Sequence, residues 1–256
     1  MFNETLPRRP SLHPPKDPRF VNLMARSRDG GQTWLTPRVV PGYDMTGVEC
    51  PSVTQLAMGD VMLVQWRYVW YPIETARKLW QRPGNDLDLH LLAGPDWMGT
   101  RTISDADWDE TPFPWARGDA GVFISLSSDD GATWDSTVRA PTAPFRRDYS
   151  PRPPTQLSDG TVLLALDSHD ERGILYVLRS EDHGMTWESP PTVVAANRPL
   201  AEPTILALPN GPVIVHSRDE ATSLIHQHIS LDGGHTWAPP EVTPIWGVPR
   251  SSAAPL

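Results

Sequence analysis

Four aspartates occupy the same place in four near-copies of one phrase: Asp29 in SRDGGQTW, Asp129 in SSDDGATW, Asp182 in SEDHGMTW and Asp232 in SLDGGHTW. Repeated carboxylates beside serine and threonine hydroxyls are residue types suited to metal binding or acid–base work. Histidines make a second candidate. His226 and His228 alternate and so share a strand face, with His216 in the preceding segment, and two such imidazoles can bind zinc. No third ligand stands at a convincing spacing, so a partly exposed strand face is expected there, with no metal and no cofactor. A third candidate is AEPTILALPNGPVIVHSR, where Glu202 precedes Arg218. The equivalent positions elsewhere carry Trp66 and Asp167, so this positive charge is specific to one copy.

The phrases must be positioned by something, and their spacing says what. The opening serines, Ser27, Ser127, Ser180 and Ser230, stand 100, 53 and 50 residues apart. The first interval is two periods, or one period carrying a large insertion. A period in this range signals a propeller or a solenoid. A second pattern recurs upstream of the later phrases: PSVTQLAMGDVMLVQW (51–66), RPPTQLSDGTVLLALD (152–167) and EPTILALPNGPVIVHSR (202–218). Each reads strand, tight turn at Gly59, Gly160 or Gly211, strand. A third strand precedes each phrase, over 20–26, 121–127, 174–180 and 224–230. Four strands per period, joined by hairpins, make one propeller blade.

The phrase is then the turn between third and fourth strands. Its aspartate accepts backbone amide protons, and Gly31, Gly131, Gly184 and Gly234 supply a positive φ. Trp34, Trp134, Trp187 and Trp237 bury a large face beside the neighbouring sheet. A catalytic residue is needed once, whereas a turn is needed in every repeat, so the four aspartates read as structural.

Composition narrows the function. A net charge of −9 argues against nucleic acid as a partner, and 29 prolines with 18 glycines leave little room for long helices. No apolar run is long enough for a membrane span. The N-terminus lacks a signal-peptide pattern, so a cytoplasmic location is expected if that end is complete. Cys50 is the single cysteine and has no intramolecular partner.

Between Arg67 and Gly121 the repeat pattern breaks, with Trp70, Trp80, Trp97, Trp108 and Trp115 but no phrase. Residues 68–120 are either a degenerate blade or, preferred, a long loop whose indoles stack on sugar rings. A satellite tryptophan core is the bland alternative. Residues 1–19 are expected to be irregular, within a single domain over 1–256. About four to five blades' worth of strands are expected, so the chain is a truncated member, closes unusually, or self-associates through unpaired blade edges.

The S-x-D-x-G-x-T-W phrases, each with its upstream hairpin, resemble the Asp-box (BNR) repeats of the sialidase, or neuraminidase, superfamily from about residue 20 onward. The resemblance implies an all-β propeller of the six-bladed sialidase type, here incomplete, with boxes at the periphery and the active site on the axis. It implies a glycoside hydrolase of the exo-α-sialidase type acting on a terminal acidic sugar of a glycan. A catalytically inactive propeller serving as a carbohydrate-binding or structural module is one alternative. Another Asp-box polysaccharide-degrading enzyme is the other.

Sialidases use a tyrosine nucleophile with a glutamate partner, an aspartate acid, and three arginines that clamp the substrate carboxylate. Carried over, Glu202 is the glutamate and Arg218 a clamp arginine, against the bland reading that Arg218 pairs with acids such as Asp219. Arg250, in GVPRSSAAPL, matches a second clamp arginine. Asp17, ten residues before the first box serine, matches the acid. The family's late tyrosine has no counterpart. Tyr149 in RRDYSPRP, with Arg146, Arg147 and Arg152 nearby, stands out of order and is placed, with Arg152, at the substrate mouth.

Overall fold

The computed structural model describes residues 21–40, 46–85, 87–93, 96–99, 103–146, 148–149, 152–168, 173–209, 211–222 and 224–246. Two compact units emerge: Met1–Glu49 with Tyr68–Asp119, and Cys50–Arg67 with Ala120–Leu256. Among the described residues the chain is nearly all β, in several antiparallel sheets.

Strands β1 (Leu23–Met24) and β2 (Arg38–Val39) pair antiparallel on either side of the first box. The strand expected over 20–26 is thus only two residues long where it is described. Leu23 and Val39 remain exposed in this two-stranded sheet. Next come β3 (Thr46–Gln55), β4 (Val61–Pro72), helix α1 (Ile73–Trp80), β5 (Leu89–Ala93), β6 (Asp96–Gly99), helix α2 (Asp105–Glu110), β7 (Trp115–Ser127) and β8 (Ser136–Arg139). Their sheet runs β3-β4-β7-β5-β6, with β8 also on β7. The next sheet holds β9 (Asp148–Tyr149), β10 (Thr155–Gln156), β11 (Val162–Ser168), β12 (Ile174–Ser180) and β13 (Thr192–Ala196). In it β9 and β10 both pair with β11. The last sheet is a sequential meander of β14 (Leu200–Ala207), β15 (Val213–Asp219), β16 (Leu224–Ser230) and β17 (Glu241–Trp246).

Within the second unit, side-chain alternation explains how these sheets stack. Val162, Leu164 and Leu166 of β11 pack against Met62 and Val64 of β4 and against Val122 and Ile124 of β7. The other face of β11, with Leu163 and Ala165, packs on Val213 and Val215 of β15 and on Leu200 and Ile205 of β14. Every second residue thus serves one of two apolar seams. The first strands are also tied directly. Ser52 Oγ donates to the Arg152 carbonyl (3.2 Å) and Thr54 Oγ1 to that of Pro154 (3.1 Å).

The boxes are turns whose aspartate is a hydrogen-bond hub. In the third, Asp182 accepts from the Ser180 hydroxyl (2.8 Å), the Thr186 amide (2.7 Å) and the Thr186 hydroxyl (2.6 Å). The Gly184 amide donates to Ser180 Oγ (2.7 Å). The same contacts hold Asp29, Asp129 and Asp232. Hydrogen bonds from Thr33, side chain first, pull the Asp29 carboxyl down to about 2. Positive φ extends over two residues, not one: His183 at 59° and Gly184 at 89°, with Gly30 or Gly233 replacing the histidine in other copies. A Cβ on Gly184 would collide with Met62 of the preceding sheet, so the turn is also a packing surface. Trp187 and Trp237 are partly buried against the two seams, but Trp34 is exposed, contrary to the expectation that every box tryptophan is covered.

Among the described residues, 73–114 carry two helices and the β5-β6 pair: the chain leaves from the end of β4 and returns into β7, and the Ile73 amide donates to the Pro114 carbonyl (3.0 Å). The excess length therefore sits between the second and third strands of one sheet. Two helices qualify the all-β expectation. Helix α2 opens where the Ser104 amide and hydroxyl both donate to Asp107 (2.6 Å each). Trp108 packs with Ala76, Leu91, Ile103 and Ala116 in a core of this unit, and Trp70 and Trp115 are buried too. These three indoles are core residues and do not face a sugar. The Trp97 side chain lies outside what is described.

The histidine expectation is also corrected. His226 and His228 are 1% and 0% exposed, because they oppose Ser217 and Val215 on the face turned to the second seam. His216 lies on the other face and bonds Gln227 (2.9 Å). Neither ring nitrogen of His228 has a hydrogen-bond partner among the described residues. Burial, then His226, Arg198 and His216, pushes His228 down to about 4.

Two stability measurements follow. A Ser180→Ala variant leaves the buried Gly184 amide without its acceptor and loses about 1–3 kcal/mol in urea denaturation; a loss below about 0.5 kcal/mol contradicts the hub. For His228 the folded-state value is depressed, so its contribution is complete above the unfolded value near 6.5 and fades as pH falls toward 4. The urea midpoint should drop across that window, and His228→Leu should flatten the drop.

Candidate functional site

In the last two sheets the boxes mark one end of the paired strands, and Asp167 and Arg218 stand toward the other. Val162 opposes Ser180, where the third box begins, while Ser168 opposes Ile174 at the far end. Likewise Val213 opposes Ser230 and Arg218 opposes Ile225. Trp66, Asp167 and Arg218 each follow a hairpin glycine, Gly59, Gly160 or Gly211, by seven residues.

Glu202 reaches Arg218 through a defect in the ladder. Ala201 opposes Arg218 and Thr204 opposes His216, so Glu202 and Pro203 together face Ser217 alone. This is a β-bulge, with two residues opposite one. In a regular strand the residue after Ala201 would point away from Arg218. Instead Glu202 takes φ of 56°, a left-handed conformation that costs a non-glycine residue about 1–2 kcal/mol. Its carboxylate is thereby turned onto Arg218, with Oε2 3.2 Å from Nη1. The backbone strain thus falls at a charged pair, on the end of the sheet where the copies differ.

Arg218 has a second carboxylate partner. Its Nη2 donates to Glu220 Oε1 at 3.3 Å, and all three side chains are only partly buried. The expected partner, Asp219, points the opposite way. There it lies 3.3 Å from His226 Nε2 and 3.7 Å from Arg198, and its carboxylate accepts from the Ala221 and Thr222 amides. Strand alternation explains the mismatch, since residues 218 and 219 face opposite sides.

In the adjacent sheet, Tyr149 opposes Asp167 and meets Trp66 edge-on, with ring centroids 5.2 Å apart. Beneath it Asp148 is buried and accepts from Tyr176 Oη (2.5 Å) and Thr142 Oγ1 (2.6 Å). Burial pushes the Asp148 carboxyl up, against those two donors. Burial and Asp148 together drive the Tyr176 phenol far above its ordinary range. The network anchors β9, and no sequence signal announces it. Arg152 and Arg146 are exposed. Arg147, Asp17 and Arg250 lie outside the described residues. The structure thus brings Glu202 to Arg218 and Tyr149 to Trp66. Among the described residues no three His, Cys, Asp or Glu side chains are grouped to hold a metal, and no helix is long and apolar enough to cross a membrane.

A family model described as a BNR repeat-like domain matches residues 111–254, more than half of the chain. The chain belongs to that family. None of the curated proteins compared with it matches. Among solved structures, a protein of unknown function from Dyadobacter fermentans superposes with a TM-score of 0.70 at 20% identity, covering 91% of this chain and 61% of its own. The Ruminococcus gnavus intramolecular trans-sialidase, solved with oseltamivir carboxylate, gives 0.56 at 16% identity, covering 86% and 63%. The leech intramolecular trans-sialidase, solved with 2,7-anhydro-Neu5Ac, gives 0.56 at 15%, covering 86% and 46%. The BNR chain therefore shares the sialidase-type fold and spans less than two thirds of each of these proteins.

The strain at Glu202 can be measured. Glu202→Gly and Glu202→Ala lose the same ion pair, yet the glycine variant should be the more stable by about 1 kcal/mol, the reverse of the usual order. Equal stabilities, or alanine ahead, contradict the left-handed conformation.

Proposed function

We propose that this BNR-repeat protein is a sialidase-like glycoside hydrolase of the exo-α type, acting on a terminal acidic sugar of a glycan. In this reading its sheets are blades of a sialidase-type propeller, and its site lies at the strand ends opposite the boxes. The observation that carries the proposal is the bulged, left-handed Glu202 held 3.2 Å from Arg218. Arg218 binds the sugar carboxylate by charge-assisted hydrogen bonds. Glu202 orients that guanidinium and takes the proton of a hydroxyl nucleophile as its oxygen bonds to the anomeric carbon, while the glycosidic C–O bond breaks and the acid gives its proton to the leaving oxygen. A neutral hydroxyl avoids the repulsion that a carboxylate nucleophile would meet from the substrate's own charge. Trp66 and Tyr149, with Arg152, form the aromatic side of the mouth. Asp17 is assigned as the acid and Arg250 as a second clamp. The sialidase-type neighbours support the sugar class.

Turnover of a fluorogenic sialoside tests this. The parent chain should release fluorophore, and Glu202→Gln and Arg218→Ala should each lower kcat/KM by about 100-fold or more, a loss of roughly 3 kcal/mol in transition-state stabilisation. No release by the parent sinks the activity, and saturable binding without release makes the chain a carbohydrate-binding module. Release that survives both substitutions sinks the site.

A further inference from the structure

Resting on that reading of the site, we infer that Glu220 sets which sugars it accepts, by competing with a substrate carboxylate for Arg218. A guanidinium recognises a carboxylate best with two neighbouring N–H groups aimed at its two oxygens. In this structure both terminal nitrogens of Arg218 are already engaged by different carboxylates, Nη1 by Glu202 (3.2 Å) and Nη2 by Glu220 (3.3 Å). Nε is buried and has no hydrogen-bond partner among the described residues. The three side chains together carry one net negative charge. An anionic sugar must therefore compete with two carboxylates already on those nitrogens, whereas a neutral sugar need not.

The two glutamates are not equivalent in this exchange. Glu202 is fixed by the bulge that aims it. Glu220 sits at the first turn residue after β15, where its amide donates to the Pro199 carbonyl (2.8 Å) while Asp219 caps the turn beyond it. Its backbone is held there, its carboxylate reaches Arg218 through side-chain torsions with no bulge to aim it, and Glu220 is the one we assign to the competition. Two residues after the equivalent positions of the other copies stand Tyr68 and His169, so a carboxylate here is particular to this sheet. The exchange breaks and forms no covalent bond. One carboxylate replaces another on Nη2.

The test compares binding of the unsaturated analogue of N-acetylneuraminic acid with binding of its neutral methyl ester, by calorimetry on the full chain. Glu220→Gln keeps the shape and removes the charge, and Glu220→Ser serves as a second variant, with thermal unfolding as the check that each is folded. The ratio of acid to ester affinity should rise about tenfold in both variants and fall to the parent value or below when Arg218→Ala is added. Parent and variants binding with the same ratio overturn the role of Glu220 and leave the proposed function standing. Binding of neither ligand by any of the proteins overturns both.

Discussion

Every sheet of this protein that carries a box depends on one small hydrogen-bonded unit, the aspartate that gathers a serine hydroxyl, a threonine amide and a threonine hydroxyl within one turn. That unit holds two successive residues at positive φ, a conformation side chains resist and which the chain would not keep without fixed acceptors. Gly184 and Gly234 then lie close against Met62 and Leu163 of the preceding sheet, so the turn also locks the stacking. With one end of each sheet fixed this way, the opposite end is released to vary. There the copies carry a tryptophan, an aspartate and an arginine at one equivalent position.

Much of this was legible in the sequence, because the boxes are local. Serine, aspartate, glycine and threonine satisfy one another within eight residues and need no tertiary partner. The hairpins at Gly59, Gly160 and Gly211 were legible for the same reason, and each closes with an amide bond from its glycine to the residue three back. The singular charge at Arg218 could be seen by aligning the copies. The Ser104–Asp107 pair, a helix-start signal, was present too, but a run of tryptophans and prolines hid it.

What the sequence did not carry is tertiary. The segment LIHQHIS alternates equally well in either orientation, and only stacking against the second seam decides that its imidazoles are inside. The five tryptophans of the insertion carry the composition of a sugar-binding loop, yet Trp70, Trp108 and Trp115 are buried, Trp108 in a small core with Ala76 and Leu91. The bulge that aims Glu202 is invisible in AEPTILAL, because a two-against-one register belongs to the pair of strands. The place of Glu220 beside Arg218 is tertiary in the same way, since it comes from a turn held by Pro199.

The central claim is that ligand recognition sits at the strand ends opposite the boxes, around Glu202 and Arg218. The most direct measurement is an amide-resolved NMR titration of the chain with the unsaturated analogue of N-acetylneuraminic acid. Saturable shifts should gather at the amides of Tyr149, Glu202 and Arg218, while those of Gly131, Gly184 and Gly234 stay unmoved. Shifts centred on the box glycines, or none at saturating ligand, would contradict the account.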